Sequence, residues 1–299
     1  MTVMGLIKKE MHPIDRDYVR WLLPARGRDS HKGDFGRILI VAGGAGMTGA
    51  AILAAKGALR SGSGLVYVCI PEEYADVLRI AVPEAIIVKW EDALAVLDGS
   101  ASVKGITPDR YDAVCFGPGM GKSAGSRMQL RAILRVSDAP LIIDADGLNL
   151  ISENSDIKDL VLGYKGDIAV TPHYGEAMRL VSGSKPAGRE EMARMLSYGY
   201  DCTAVLKGSG TLVFSSDDEL WMNTTGNPGM AAAGSGDVLS GIMTSLAGQG
   251  LQVPDAARTA VFIHGLAGDM AASEKGEYGM TASDIAEYTA YAVKEIVGR

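Results

Sequence analysis

The chain has 299 residues, a formal net charge of −7, 47% hydrophobic, 22% charged and only 6% aromatic residues, and 38 glycines. The acidic balance excludes nucleic acid as the main partner, because a phosphate backbone calls for a basic face; it leaves room for a nucleotide held by a few backbone N–H groups. Few aromatics and many glycines favour an Ala/Gly/Val/Ile α/β core with tight turns over an aromatic β-sandwich.

In chain order, residues 1–10 lack an apolar stretch of signal-peptide length, and no run approaches the ~18 apolar residues of a membrane span. Residues 15–23 read as a short helix stopped by Pro24, followed by the polar loop 30–36. Arg-Ile-Leu-Ile-Val-Ala at 37–42 is a buried parallel strand that runs into the glycine-rich 43–49 and an Ala-rich helix over 50–60. Strands are expected at 65–70 and 85–88. Another at 112–116 ends in Gly117-Pro118-Gly119-Met120-Gly121 and leads to a helix over 126–136. The strand 141–143 runs into a loop at 144–149, and the strand 167–170 into 171–176, where a helix begins. After a helix at 190–198, the strand 203–206 ends in Lys207-Gly208-Ser209-Gly210-Thr211, and 212–214 with 220–222 forms a hairpin. Helices over 238–246, 256–272 and 285–296 close the chain, the last behind a capping box at Thr281 and Asp284.

Strands alternating with helices give one α/β domain with a mostly parallel sheet. The loops at 43, 117, 144, 171 and 207 would then share the edge where open α/β folds bind ligands. Cys69, Cys115 and Cys202 are far apart and read as buried thiols in a reducing compartment, which places the protein in the cytoplasm.

Residues 223–250 hold the most informative stretch. Gly234-Ser235-Gly236-Asp237 leads a polar loop into an apolar helix whose Val238, Leu239, Ile242 and Leu246 share a face. The start of such a helix offers unpaired N–H groups and a positive dipole end to an anion. A carboxylate there would repel a phosphate, so Asp237 reads either as a proton acceptor or as a helix cap.

Two other motifs mislead. Gly44-x-Gly46-x-x-Gly49 matches the dinucleotide fingerprint, but the acids Glu72 and Glu73 follow Pro71 instead of ending a strand. Gly117 to Ser123 resembles a P-loop, but the spacing would need glycine where Phe116 stands.

Lys207-Gly208-Ser209-Gly210-Thr211, Asn227-Pro228-Gly229 and Gly234-Ser235-Gly236-Asp237, in that order, look like the nucleotide side of the ribokinase-like superfamily. With His31-Lys32-Gly33, Gly43 to Ala50, Gly117-Pro118-Gly119, Asp144 to Asn149 and Thr171-Pro172-His173 through Glu176, the chain resembles the ADP/ATP-dependent NAD(P)H-hydrate dehydratases from about residue 15 to 297. It departs from the family pattern in carrying Ser235 where Thr is commoner and Tyr174 where Pro is commoner.

The resemblance implies a single ribokinase-like domain over 1–299, a three-layer sandwich with a mostly parallel sheet and helices on both faces. The epimerase domain often fused ahead is expected on another chain, and the protein as a homo-oligomer. The implied activity restores NADH or NADPH from its hydrated form at the expense of ADP or ATP with Mg²⁺. Phosphorylation of the ring hydroxyl turns a poor leaving group into a good one. By carry-over, Asp237 is the base, and Lys207, Gly208, Ser209, Gly210, Thr211, Gly234, Ser235 and Gly236 hold the nucleotide. Ala50, Gly119, His173 and Asp237 meet the hydrated cofactor, and Glu176 steers the metal through water.

Residue by residue, blander readings stand alongside. Lys207 could be a solvated lysine at a strand end, His173 a helix cap, Asp144 and Asp146 turn formers, and His264 a satisfied core histidine. A small-alcohol kinase of the same fold and a non-catalytic nucleotide sensor are the competing functions.

Overall fold

The computed structural model describes residues 11–23, 25–100 and 110–298. The segment 1–10 and the expected helix stop at Pro24 lie outside the described residues. The strands are β1 (Met11–Ile14), β2 (Arg37–Val41), β3 (Leu65–Cys69), β4 (Ile86–Val88), β5 (Ala113–Phe116), β6 (Leu141–Ile143), β7 (Ile168–Val170), β8 (Thr203–Leu206), β9 (Leu212–Phe214) and β10 (Leu220–Asn223). The helices are α1 (Arg16–Leu22), α2 (Thr48–Arg60), α3 (Ala75–Ala81), α4 (Trp90–Leu97), α5 (Ala124–Val136), α6 (Asp146–Glu153), α7 (Ser155–Leu162), α8 (Tyr174–Leu180), α9 (Arg189–Tyr200), α10 (Ser235–Gly248), α11 (Val253–Gly279) and α12 (Ala282–Val297).

The strands form one sheet in the order β1-β10-β9-β8-β7-β6-β5-β2-β3-β4. Among the described strands only β9 runs against the rest, paired antiparallel to both β8 and β10. β5, β6 and β7 are apolar at every position, and β2 and β8 at every position after the first, because helices cover both faces. Within β2, Ile38 and Ile40 point into the core with α2, α10, α11 and α12, while Leu39 and Val41 point into the core with α4 to α9. This is the three-layer sandwich expected.

Helices α2 and α10 lie backbone to backbone. A Cβ added at Gly241 would stand 2.0 Å from the Ala54 carbonyl oxygen, and one at Gly57 would stand 2.5 Å from that of Val238. The alanine and glycine enrichment of these helices is therefore a packing requirement. Further along, Asn227 accepts from Gly229 N at 3.0 Å and donates to Asp269 of α11 at 3.0 Å, which ties the loop before α10 to the body of the fold.

Several elements differ from expectation. β1 was not anticipated, since four residues carrying Pro13 give no period; it survives as an edge strand beside β10, where proline is tolerated. α3, α4 and α7 were not anticipated either. Residues 146–149 are the first turn of α6 rather than loop. α11 runs to Gly279, interrupted at Gly276 with φ 73°. The capping box of Thr281 and Asp284 forms as read. Among the described residues, no helix is long and apolar enough to cross a membrane.

Candidate active site at the carboxyl edge of the sheet

β2, β5, β6, β7 and β8 are neighbours and all parallel, so the five loops that follow them do share one edge. α10 begins at the same place. Its N-cap is Gly234, at φ 90°, in the left-handed region that favours glycine. A Cβ at Gly234 would also stand 2.3 Å from Leu53 Cδ1, so the Leu53 side chain would have to move. The first turn of α10 thus brings Ser235, Gly236 and Asp237 to the edge; Ser235 N donates to the Ala232 carbonyl at 3.3 Å, while the N–H groups of Gly236 and Asp237 lack intrahelical partners.

Asp237 is half-buried. Burial first, then the negative charge of Asp144 and, less, that of Asp146, push its carboxyl up to about 7 against the opposing pull of Lys207. A carboxylate poised there is suited to take a proton near neutral pH.

Asp144, at the end of β6, is only 1% exposed. Lys207 Nζ stands 2.8 Å from its Oδ1, and Ser240 of α10 donates to its Oδ2 at 2.6 Å. Burial alone would raise this carboxyl, but the Lys207 ammonium and the hydrogen bonds from Lys207, Ser240 and Thr171 outweigh it and hold it low. Lys207 is accordingly not a solvated lysine, and Asp144 is not a mere turn former. Asp146 accepts from Gly121 N at 2.7 Å and joins the 117–121 loop to the head of α6. A residue the sequence did not single out is Arg189, at the start of α9. It donates to the carbonyls of Ser209 at 2.5 Å and Gly210 at 3.0 Å, and so shapes the 207–211 loop. Its isolated place in the sequence gave no signal.

On the other side of the edge, Gly119 and Ala50 meet. A Cβ at Gly119 would lie 2.8 Å from the Ala50 Cβ. His173 caps α8: its Nδ1 accepts from Gly175 N at 3.0 Å, and Glu176 accepts from His173 N at 2.9 Å. The ring nevertheless stays mostly exposed, at 57%. His264 is buried behind Ser235, and its Nε2 donates to the Ser235 carbonyl at 2.9 Å, so the structural reading of this histidine holds. Burial lowers its pKa to about 4 and keeps it neutral. The His31 to Gly36 motif is not at this edge. A Cβ at Gly36 would lie 2.3 Å from the Gly248 carbonyl oxygen, at the far end of α10, so this motif packs the opposite end of the sheet.

Among the described residues, no group of three or more His, Cys, Asp or Glu side chains gathers as a preformed metal site. Magnesium is commonly held by one or two carboxylates, phosphate oxygens and water. Such a metal would arrive with a nucleotide; Glu176, 7% exposed and accepting from His173 N, is a carboxylate whose charge reaches Lys207.

Fold and site together define a ribokinase-like α/β protein. The family model for NAD(P)H-hydrate dehydratase matches residues 38–290, and the chain belongs to that family. It is 37% identical over 267 residues to the ADP-dependent (S)-NAD(P)H-hydrate dehydratase of Neisseria meningitidis, covering 88% of this chain and 86% of that one. It is 34% identical over 287 residues to the bifunctional NAD(P)H-hydrate repair enzyme of Moorella thermoacetica, covering 93% of this chain and 53% of that protein. The chain thus spans about half the length of the bifunctional relatives it matches. A solved structure similar to it is the ADP/ATP-dependent NAD(P)H-hydrate dehydratase of Bacillus subtilis, co-crystallised with ATP and Mg²⁺, with TM-score 0.79, 26% identity, and coverage of 97% of this chain and 99% of that one.

Proposed function

We propose that this protein returns hydrated NADH or NADPH to the reduced cofactor at the expense of ADP or ATP. The observation that carries the reading is the half-buried Asp237 at the head of α10, with its pKa pushed up to about 7. Asp237 takes the proton from the hydroxyl of the hydrated ring as the oxygen bonds to the terminal phosphorus of the nucleotide and the bond to its bridging oxygen breaks. The N–H groups of Gly234, Ser235 and Gly236 meet the charge on the transferring group. Phosphate then leaves with the C–O electron pair, helped by the lone pair of the ring nitrogen. Loss of a proton from the adjacent ring carbon restores the double bond.

In this reading Lys207 to Thr211 line the nucleotide, with the loop held in shape by Arg189. Ala50, Gly119 and the exposed ring of His173 receive the hydrated ring. Glu176 would hold Mg²⁺ through water; when bound, the metal neutralises charge on the nucleotide phosphates. The same reading takes 1–299 as one domain acting as a homo-oligomer in the cytoplasm. The free, buried Cys69, Cys115 and Cys202 support a reducing compartment.

The test incubates the protein with hydrated NADH, Mg²⁺ and either ADP or ATP. Recovery of NADH absorbance with stoichiometric phosphate release is expected with at least one nucleotide. No recovery with either would end the proposal, and a stable phosphorylated product would make the protein a kinase instead.

A further inference from the structure

A carboxylate as deeply buried as Asp144 is costly unless it is paired and hydrogen-bonded. Its two oxygens are satisfied from different elements: Lys207, beyond β8, takes Oδ1, and Ser240 of α10 takes Oδ2. Ser240 also bonds the Gly236 carbonyl at 3.1 Å, so the cluster is fixed to the first turn of α10. A Cβ at Gly236 would come 3.1 Å from Lys207 Nζ and 3.7 Å from Asp144 Oδ2. The ion pair therefore lies directly against the backbone beside Asp237. A loop lysine without a partner could swing out to follow a phosphate. This one would strand a buried charge by leaving.

We propose that the Asp144–Lys207 ion pair, fixed at the head of α10 through Ser240 rather than travelling with the nucleotide, is a positioning pair that sets the charge Asp237 faces as a base, the ammonium favouring its ionised form and the Asp144 carboxylate opposing it.

The charged groups that act on Asp237 are Asp144 from β6, Asp146 from α6 and Lys207 from β8. Glu176 of α8 acts on Lys207, and His264 of α11, behind Ser235, is neutral. Asp144 and Lys207 thus pull Asp237 in opposite directions while holding each other. Without the ammonium, Asp237 faces two carboxylates and retains its proton more tightly. In Asp144→Asn the near-isosteric amide keeps an oxygen for Lys207 while losing the charge, so the ammonium acts on Asp237 unopposed and the proton leaves more readily.

The proposal borrows from the proposed function only the role of Asp237 in turnover; the charge coupling is measurable without turnover. Carbon-13 NMR of labelled aspartates, with Asp237→Asn identifying the signal, gives the Asp237 titration midpoint directly. Asp144→Asn should lower that midpoint and Lys207→Met should raise it, each by about one pH unit or more. The acidic limb of kcat/KM should move in the same two directions. Shifts in the same direction, or no shift, would overturn the proposal. Should Lys207→Met not fold, the near-isosteric Asp144→Asn decides alone: an unchanged or raised midpoint rejects it. If the midpoints move as stated but the wild-type protein does not dehydrate hydrated NADH, the proposed function fails and the coupling stands.

Discussion

In the proposed reaction a single carboxyl, that of Asp237, concentrates the chemistry. In the folded protein Asp237 is raised to about 7, by burial first and by Asp144 and Asp146 next. Its base form is the ionised one, so kcat/KM should fall as pH drops below about 7, which a pH–rate profile checks. Asp237→Asn should abolish turnover while nucleotide binding, read by calorimetry, persists. The same shift bears on stability. The folded state binds this proton more tightly than the unfolded chain, so stability is lost as pH rises from the unfolded pKa of about 4 through about 7. Asp237→Asn should therefore raise Tm clearly at pH 8 and little at pH 4, with a gain of up to ~4 kcal/mol at ~1.4 kcal/mol per pKa unit. Equal shifts at both pH values would mean that the carboxyl is not strained. Asp237 was legible in the sequence because glycines, acid and apolar helix are contiguous. Asp144 was not, because an aspartate at a strand end looks the same whether it makes a turn or an ion pair. Its partners, Lys207 and Ser240, lie 63 and 96 residues away.

Among the elements, the crossing of α2 and α10 sets the position of the candidate site, since α10 carries Gly236 and Asp237 in its first turn. Gly241→Leu would force a side chain into the Ala54 carbonyl and should cost at least ~3 kcal/mol, read by denaturant unfolding. Gly199 on the exposed side of α9 has nothing within 4 Å of an added Cβ, and Gly199→Ala should stabilise by up to ~1 kcal/mol. If the two changes had similar effects, close approach would not be what limits α10. The sequence showed α2 through its alanine content and α10 through its apolar periodicity. It could not show that they touch through glycines, because glycine also reads as a turn or a weak helix position. Short elements such as β1 and α3 escaped for want of a full period.

At the scale of the molecule, the sheet separates two ends. The carboxyl edge gathers the five loops. A cavity of about 560 Å³ lies at the opposite end, lined among others by Arg37, Asp112, Asp138, Asp167 and Gly248. Its size does not make it the site: the half-buried acid, the ion pair and the open helix start are all at the other edge. Asp138→Asn should leave kcat/KM for hydrated NADH within about twofold of wild type. A large loss in a folded variant would relocate the chemistry. The His31 to Gly36 motif belongs to this opposite end, a placement that its order in the sequence could not disclose.

Sequence alone determined the alternation of strands and helices, the family and the residues that face the ligand edge, because apolar period, turn chemistry and glycine-acid motifs are local properties of a chain. Only the tertiary structure decided that Lys207 is held by Asp144, that Arg189 shapes the 207–211 loop, and which motif glycines serve packing. Those outcomes depend on distances between segments far apart in the chain, fixed by strand order and helix crossing rather than by any neighbouring residue.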